Sequence, residues 1–294
     1  KLYIGSNNGL FNYDYIYNKC QICTEFLADK DIISYCSNEN YEIVATSKDV
    51  FLFDHSWKFI NRSVIHQGIL DNHIICMVID ANQKIWIGTE SGLSTISIGL
   101  NGKMKVEYHD SKLVEAVPYD MLISGGKSEA ISTLRLWRAR NASKFDMKSF
   151  SQGDYQKAVF ENQEAELISK VLYPSDNHQE GKTLRLKQQY FLVSASIQNI
   201  IYDHIKRYGD LHTLPEHAAI HINDTHPAIC IPEIMRILMD DYGFGWDEAW
   251  NVVTQTVAYT NHTIMVEALE SWSEDLVART VPRIYSIIKE INRR

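Results

Sequence analysis

The sequence contains no apolar run near the ~18–20 residues that a membrane-spanning helix needs, so no span is expected. It has no cysteine framework either. Its five cysteines, Cys20, Cys23, Cys36, Cys76 and Cys230, are odd in number and scattered, which argues against a disulfide scaffold. Cys20 and Cys23 have metal-knuckle spacing, but no second pair follows, and a strand would turn the two thiols to opposite faces. Positive charge is in deficit, with 29 Lys and Arg against 37 Asp and Glu, a net charge of −8 and a pI near 5.8. That balance speaks against nucleic acid or an anionic membrane as the main partner. No third clustered histidine or cysteine supports a metal site. "SGGKS" (124–128) falls short of a phosphate loop, because Met121 stands where the first glycine is needed. Since the sequence begins at Lys1 rather than Met, the lack of a leader excludes nothing.

What is present fits a folded protein of about two domains: 294 residues, 45% hydrophobic and 22% charged. The first ~110 residues repeat. "LYIGSNNGLFNYD" (2–14), "EIVATSKDVFLFD" (42–54) and "KIWIGTESGLSTI" (84–96) align Gly5 with Ala45 and Gly88, Gly9 with Asp49 and Gly92, and Leu10 with Val50 and Leu93. Each unit reads as strand, small-residue turn, strand, with β-branched and aromatic enrichment. A period of about 40–45 residues is that of a propeller blade. About two and a half units make an incomplete all-β segment, expected over residues 1–110, with exposed edges.

From about Val114 helical patterns take over. The expected elements are a helix over 151–172 with a cap signature at Ser151 and Asp154, and a second helix over 184–207. A strand over 218–222 precedes a helix over 230–241. A helix "WDEAWNVVTQT" precedes a strand over 257–260, and a helical tail from Ser273 carries Ile284, Ile287, Ile288 and Ile291 on a stripe. Alternating strands and helices predict an α/β domain over 111–294 with a mainly parallel sheet. In such sheets ligands bind beyond the carboxyl ends of strands. Asn223, Asp224, Thr225 and His226 follow one strand, and Asn261, His262 and Thr263 follow another. Such residues can bind sugar hydroxyls or move protons, but they can equally cap turns and helices.

"AVPYDMLISGG", "TLRLWRAR", "FDMKSFSQGDYQKAV", "ISKVLYPSDNHQEGKTLRLKQQYF", "INDTHPAICIPEIMRIL", "WDEAWNVVTQTVAYTNHT" and "EALESW" run in order and closely resemble the glycogen (α-glucan) phosphorylases over residues ~114–294. "DNHIICMVIDANQKIWIGTESGL" resembles the blade repeat of two-component-regulator propellers, within residues ~1–108. The phosphorylase resemblance implies part of an N-terminal, Rossmann-like domain. It implies phosphorolysis of α-1,4-glucan to glucose 1-phosphate in the complete enzyme, with pyridoxal phosphate as cofactor and glucan and inorganic phosphate as substrates. It implies a catalytic role for His262 beside the reacting glucose, and acceptor-side contacts from Asp224, His226 and Tyr173. Asp176 and Asn177 match the loop that gates the cleft, with Ser175 in place of an asparagine, and Arg185 matches an arginine near the cleft. The helix over 151–172 matches the one that packs across a homodimer. The family's cofactor-lysine segment has no match in these residues, so the chain by itself is expected to be inactive. In nucleotide-regulated members an Arg pair follows two isoleucines, where Tyr202 and Asp203 stand here, so that regulation is not expected. The compartment implied is cytoplasmic, whereas the propeller resemblance implies a periplasmic one. No Gly/Pro/Ser-rich linker joins the halves between Tyr108 and Val114, and their juncture has the look of a fused or chimeric frame. The alternative readings are a sensory propeller protein and a carbohydrate-binding remnant.

Overall fold

The structure, a computed structural model, describes all residues except 1, 48, 65–73, 90–91, 100–103, 110, 128, 264 and 266–268. Parts of the third repeat, Ser128 of "SGGKS" and the start of "EALESW" therefore lie outside the described residues. Two compact units form, one from residues 1–111, 235–249 and 277–294, the other from 112–234 and 250–276.

In the first unit, β1 (Leu2–Ser6), β2 (Gly9–Asp14) and β3 (Lys19–Ile22) make a three-stranded sheet. A four-stranded sheet follows from β4 (Ile32–Ser37), β5 (Glu42–Thr46), β6 (Asp49–Phe53) and β7 (Phe59–Val64). A second comprises β8 (Ile74–Ile79), β9 (Ile85–Thr89), β10 (Gly92–Ile98) and β11 (Met104–Tyr108). Every pairing is antiparallel, as tight turns between successive strands dictate. Three of those turns share one device. The carboxylates of Asp14, Asp54 and Asp80 accept the N–H groups of Ile16, Ser56 and Asn82. Asn18, Trp57 and Gln83, each followed by a lysine, take positive φ of 51°, 62° and 64°. Aspartate offers the turn a local acceptor and so favours it over a continued strand.

The middle sheet is covered on both faces. Ile43, Ala45, Val50 and Leu52 pack with Ile74, Ile85, Ile87 and Ile96 of the third sheet. Val44, Phe51 and Phe53 pack with Leu10, Leu27 and Ile32. Burial on both sides explains why "EIVAT" and "DVFLF" read as apolar runs rather than alternations. The small-residue column has a steric cause. A Cβ at Gly5 would stand 3.0 Å from Ile32 Cγ2, and one at Gly88 would stand 2.9 Å from Cys76 Sγ.

The second unit opens with an unforeseen hairpin, β12 (Val114–Ser124) and β13 (Ile131–Asn141), paired antiparallel throughout. Ala139 donates its N–H to Ser169 Oγ at 2.8 Å, away from β12. Trp137, two residues earlier, and Pro118, opposite Trp137, therefore also direct their backbone nitrogens outward. A proline, having no N–H, belongs at such a free edge. One hairpin face meets a helix through Trp137 Nε1 to Ser196 Oγ (3.0 Å) and Arg135 Nη1 to Asn199 Oδ1 (2.8 Å).

The expected helix over 151–172 is two helices, α1 (Met147–Ser151) and α2 (Tyr155–Lys170). Asp154 rather than Ser151 caps α2, accepting the Lys157 N–H, and Gly153 at φ 83° turns the chain between them. The second helix, α3 (Gln179–Tyr208), exceeds its expected bounds at both ends, from His178 as N-cap to Gly209 in the left-handed region. Then follow α4 (Leu214–His217), β14 (Ile220–Asn223), α5 (Cys230–Arg236), α6 (Trp246–Thr256) and β15 (Val257–Thr260). The expected helix over 230–241 passes at Ile237–Asp241 into a π-helical turn. The tail divides into α7 (Glu274–Thr280) and α8 (Pro282–Arg293), with Pro282 starting the latter. Of its isoleucine stripe, Ile284 and Ile287 are buried and Ile288 is exposed.

The fold is mixed α/β with several small sheets. The expected mainly parallel sheet is not what forms: β14 and β15 are the one parallel pair among the described residues, and the other sheets are antiparallel. Among the described residues no helix is long and apolar enough to cross a membrane.

Candidate functional site

The parallel pair aligns Ile220 with Val257 and Asn223 with Thr260, so both strands end at the same level. Just beyond, Asp224 adopts φ 56°, a left-handed conformation that Asp tolerates better than most residues. Its own N–H bonds Thr260 O at 2.8 Å, and its Oδ1 accepts the His262 N–H at 2.8 Å. The His262 ring lies with Nε2 3.4 Å from Asn223 Oδ1 and is exposed. Asn261 ties its own loop, donating from Nδ2 to Thr263 O at 2.6 Å.

Thr225 and His226 reach a different part of that loop. Thr225 Oγ1 accepts the Glu270 N–H at 2.8 Å, and His226 Nε2 lies 3.4 Å from Glu270 Oε1. The same Oε1 receives Arg185 Nη2 at 2.6 Å, while Arg185 Nη1 reaches Asp176 Oδ2 at 2.9 Å. The Arg185 guanidinium also stands 5.7 Å from the centre of the Tyr173 ring, within cation–π range. A chain of contacts thus runs Asp176–Arg185–Glu270–His226. It joins the segment before α3 to the loop after β15 and to the end of β14.

The segment 171–178 is held in other ways as well. Tyr173 has φ 57°. Gln188 Nε2 donates to Val171 O at 2.8 Å, and His178 Nδ1 accepts the Gly181 N–H at 3.0 Å. A Cβ on Gly181 would fall 1.7 Å from Ser175 O, so only glycine fits there. Behind the site, buried Glu233 on α5 accepts Ser194 Oγ at 2.7 Å and Tyr190 OH at 3.1 Å. Those bonds satisfy a carboxylate that would be costly to bury bare, and they fix α5 on α3.

The structure therefore brings together six of the seven residues singled out from sequence: Tyr173, Asp176, Arg185 and His226 in one chain of contacts, Asp224 and His262 beside it. Asn177 is exposed and stands outside these contacts. The sequence reading missed Glu270, which three of these elements share, although "EALESW" contains it. It also missed Thr225 as the group that fixes Glu270's backbone. Burial pushes the Cys230 thiol up to about 11, which removes it as a nucleophile near neutral pH. Among the described residues no group of three His, Cys, Asp or Glu is placed to hold a metal. Every lysine of this unit, from Lys112 to Lys206, is exposed. A Schiff-base lysine needs an enclosed, desolvated pocket, so the residues present do not fit pyridoxal phosphate.

These contacts make a polar wall of imidazoles, carboxylates and one guanidinium, suited to a polyhydroxylated ligand, and its protein class is defined by comparison. The chain belongs to the carbohydrate phosphorylase family, whose profile matches residues 83–294. Among its relatives, glycogen phosphorylase of Haemophilus influenzae is 43% identical over 196 residues, which is 67% of this chain and 24% of that enzyme. The brain form of glycogen phosphorylase from Mus musculus is 46% identical over 193 residues, 63% of this chain and 23% of the enzyme. The chain thus spans about a quarter of the length of these relatives. A second, short match, to the two component regulator propeller, covers residues 68–91. The phosphorylase match begins upstream of the boundary read near Val114, and the two overlap at 83–91.

Proposed function

We propose that the second unit is the glucan-facing wall of a phosphorylase-type site acting on α-1,4-glucan, and that this chain alone binds saccharide without cleaving it. The observation that supports this reading is the single network made by the ends of β14 and β15, the loop at Glu270 and the segment before α3. Asp224, His226 and Tyr173 face the acceptor chain. His262 meets the glucose that phosphorolysis transfers as glucose 1-phosphate. Asp176 and Asn177 belong to a gate, and Arg185 holds that gate to Glu270. Inorganic phosphate and pyridoxal phosphate belong to the complete family enzyme, because no enclosed lysine exists in this unit. By the same reading, the surface over 151–172 supports a homodimer and the compartment is cytoplasmic. A ligand-binding propeller is the second reading. It is favoured by the regulator-propeller match and the three antiparallel sheets of the first unit.

Isothermal titration of the chain with a linear α-1,4-linked glucose oligosaccharide tests the first reading. Wild type binds, and Arg185→Ala weakens binding at least about tenfold, the equivalent of ~1.4 kcal/mol. Incubation with pyridoxal phosphate and borohydride leaves no lysine labelled at unit stoichiometry. Undetectable saccharide binding by the folded wild-type chain would sink the reading, and so would a single stoichiometric adduct.

A further inference from the structure

Two carboxylates set the plane of the Arg185 guanidinium. Nη1 meets Asp176 Oδ2 at 2.9 Å and Nη2 meets Glu270 Oε1 at 2.6 Å, while the buried Nε has no acceptor. The Tyr173 ring, 5.7 Å away, attracts the cation but offers it no hydrogen-bond acceptor. The two carboxylates are not equal anchors. The Asp176 side chain is 49% exposed and that of Glu270 is 12% exposed. Solvent screens an exposed ion pair far more than a sheltered one, so Glu270 is the firmer hold on Arg185.

Glu270 is itself placed without help from Arg185. Its N–H is held at 2.8 Å by Thr225 Oγ1, next in sequence to His226, and its Oε1 lies 3.4 Å from His226 Nε2. One oxygen thus faces a guanidinium carried by α3 and an imidazole that follows β14. Among the described residues no other side chain pairs with both.

We propose that Glu270 is a positioning residue for saccharide binding. It acts through its partners, fixing the Arg185 guanidinium and the His226 ring relative to each other, so that one carboxylate sets both the gate segment and the acceptor side of the wall. The proposal rests on the saccharide reading and adds to it a residue and a way of acting. Neutralising Glu270 releases both partners together, and a site whose polar groups are no longer held in place binds more weakly. Because Arg185 and Glu270 act through one contact, the effects of substituting them do not add.

A double-mutant cycle read by isothermal titration with a linear α-1,4-linked glucose oligosaccharide tests the proposal. Glu270→Gln keeps the side-chain length and the backbone bond to Thr225, and unchanged circular dichroism confirms that it folds. Alone it weakens binding about tenfold, as Arg185→Ala does, and the double variant stays near tenfold instead of reaching roughly hundredfold. Nuclear magnetic resonance of the saccharide-free chain supplies a readout that a merely structural role would not move. Glu270→Gln displaces the His226 ring signals and speeds solvent exchange of the Arg185 Nε proton, while the His55 and His109 rings stay in place. Wild-type affinity in Glu270→Gln, additive losses in the double variant, or unmoved His226 and Arg185 signals would overturn the proposal while leaving the saccharide reading standing. A folded wild type that binds no saccharide sinks that reading, and this one with it.

Discussion

Asp224 works at the smallest scale and shows why its neighbours lie where they do. Its carboxylate holds the backbone of His262 rather than the ring, so it aims the loop that carries the candidate catalytic side chain. Asp224→Ala removes an ionised acceptor from a half-buried site, a loss of about 1–2 kcal/mol after allowance for solvent. Asn retains an acceptor oxygen, so Asp224→Asn recovers most of that in urea unfolding. Equal destabilisation by both variants would show that the bond to His262 is not what matters. Gly181 is the second such residue. With Ser175 O 1.7 Å from where its Cβ would be, Gly181→Ala must displace either the start of α3 or the gate segment. Overpacking of this kind costs about 1–3 kcal/mol, and limited proteolysis should cut faster between Tyr173 and His178. Neither role was legible in sequence. "INDTHP" and "YTNHT" announced that polar residues cluster after two strands, but not that Asp224 and Thr225 would be spent on backbone N–H groups. Glu270 escaped because its partners are 44 and 85 residues away along the chain.

At the scale of elements, single strands and helices were easier to foresee than caps or pairing partners. The strand over 257–260 and the helix of "WDEAWNVVTQT" form as read, because an apolar stripe and short apolar run suffice to define them. The β12–β13 hairpin was missed for a physical reason. Its salt bridges lie on opposite faces, Asp120 with Arg135 on one and Glu115 with Arg140 on the other, and apolar side chains also occupy both, so no clean alternation marks the strands. The expectation of a parallel sheet rested on strand–helix alternation, which only β14 and β15 obey. Another element-level device joins two turns of the middle sheet. His55, in the turn between β6 and β7, places Nδ1 2.8 Å from Glu42 Oε1 and Nε2 3.0 Å from Glu39 O. Both partners are acceptors, so the doubly protonated ring satisfies both. Tyr35 donates to the other Glu42 oxygen at 2.6 Å, and Asp54 adds negative charge nearby. The hydrogen bond that His55 donates to Glu42, then the one it donates to Glu39 O, raises the His55 pKa above its ordinary value. Its stabilising contribution is therefore complete below the unfolded value of about 6.5 and is lost as pH rises through the higher folded value. Nuclear magnetic resonance titration should place the His55 midpoint above 6.5, and Glu42→Gln should return it toward 6.5. An unshifted midpoint in wild type would contradict the clamp.

For the whole molecule, two bodies of different construction share one chain: antiparallel sheets stacked by repeat, and a polar wall at the ends of a parallel strand pair. The family membership attaches to the second of these through most of its length, and residues 235–249 and 277–294, matched by the same family profile, fall in the first body. That division was not visible in the sequence, because which body a helix joins depends on packing and not on its own periodicity. The central claim is that saccharide meets the wall built from β14, β15 and the segment before α3. Ring-detected nuclear magnetic resonance of the eleven histidines during addition of a linear α-1,4-linked glucose oligosaccharide tests it most directly. The account predicts that His226 and His262 shift together, with one saturation curve, while His55, His109 and His212 stay in place. Unmoved His226 and His262 at saturating saccharide, or shifts confined to His55 and His109, would contradict it.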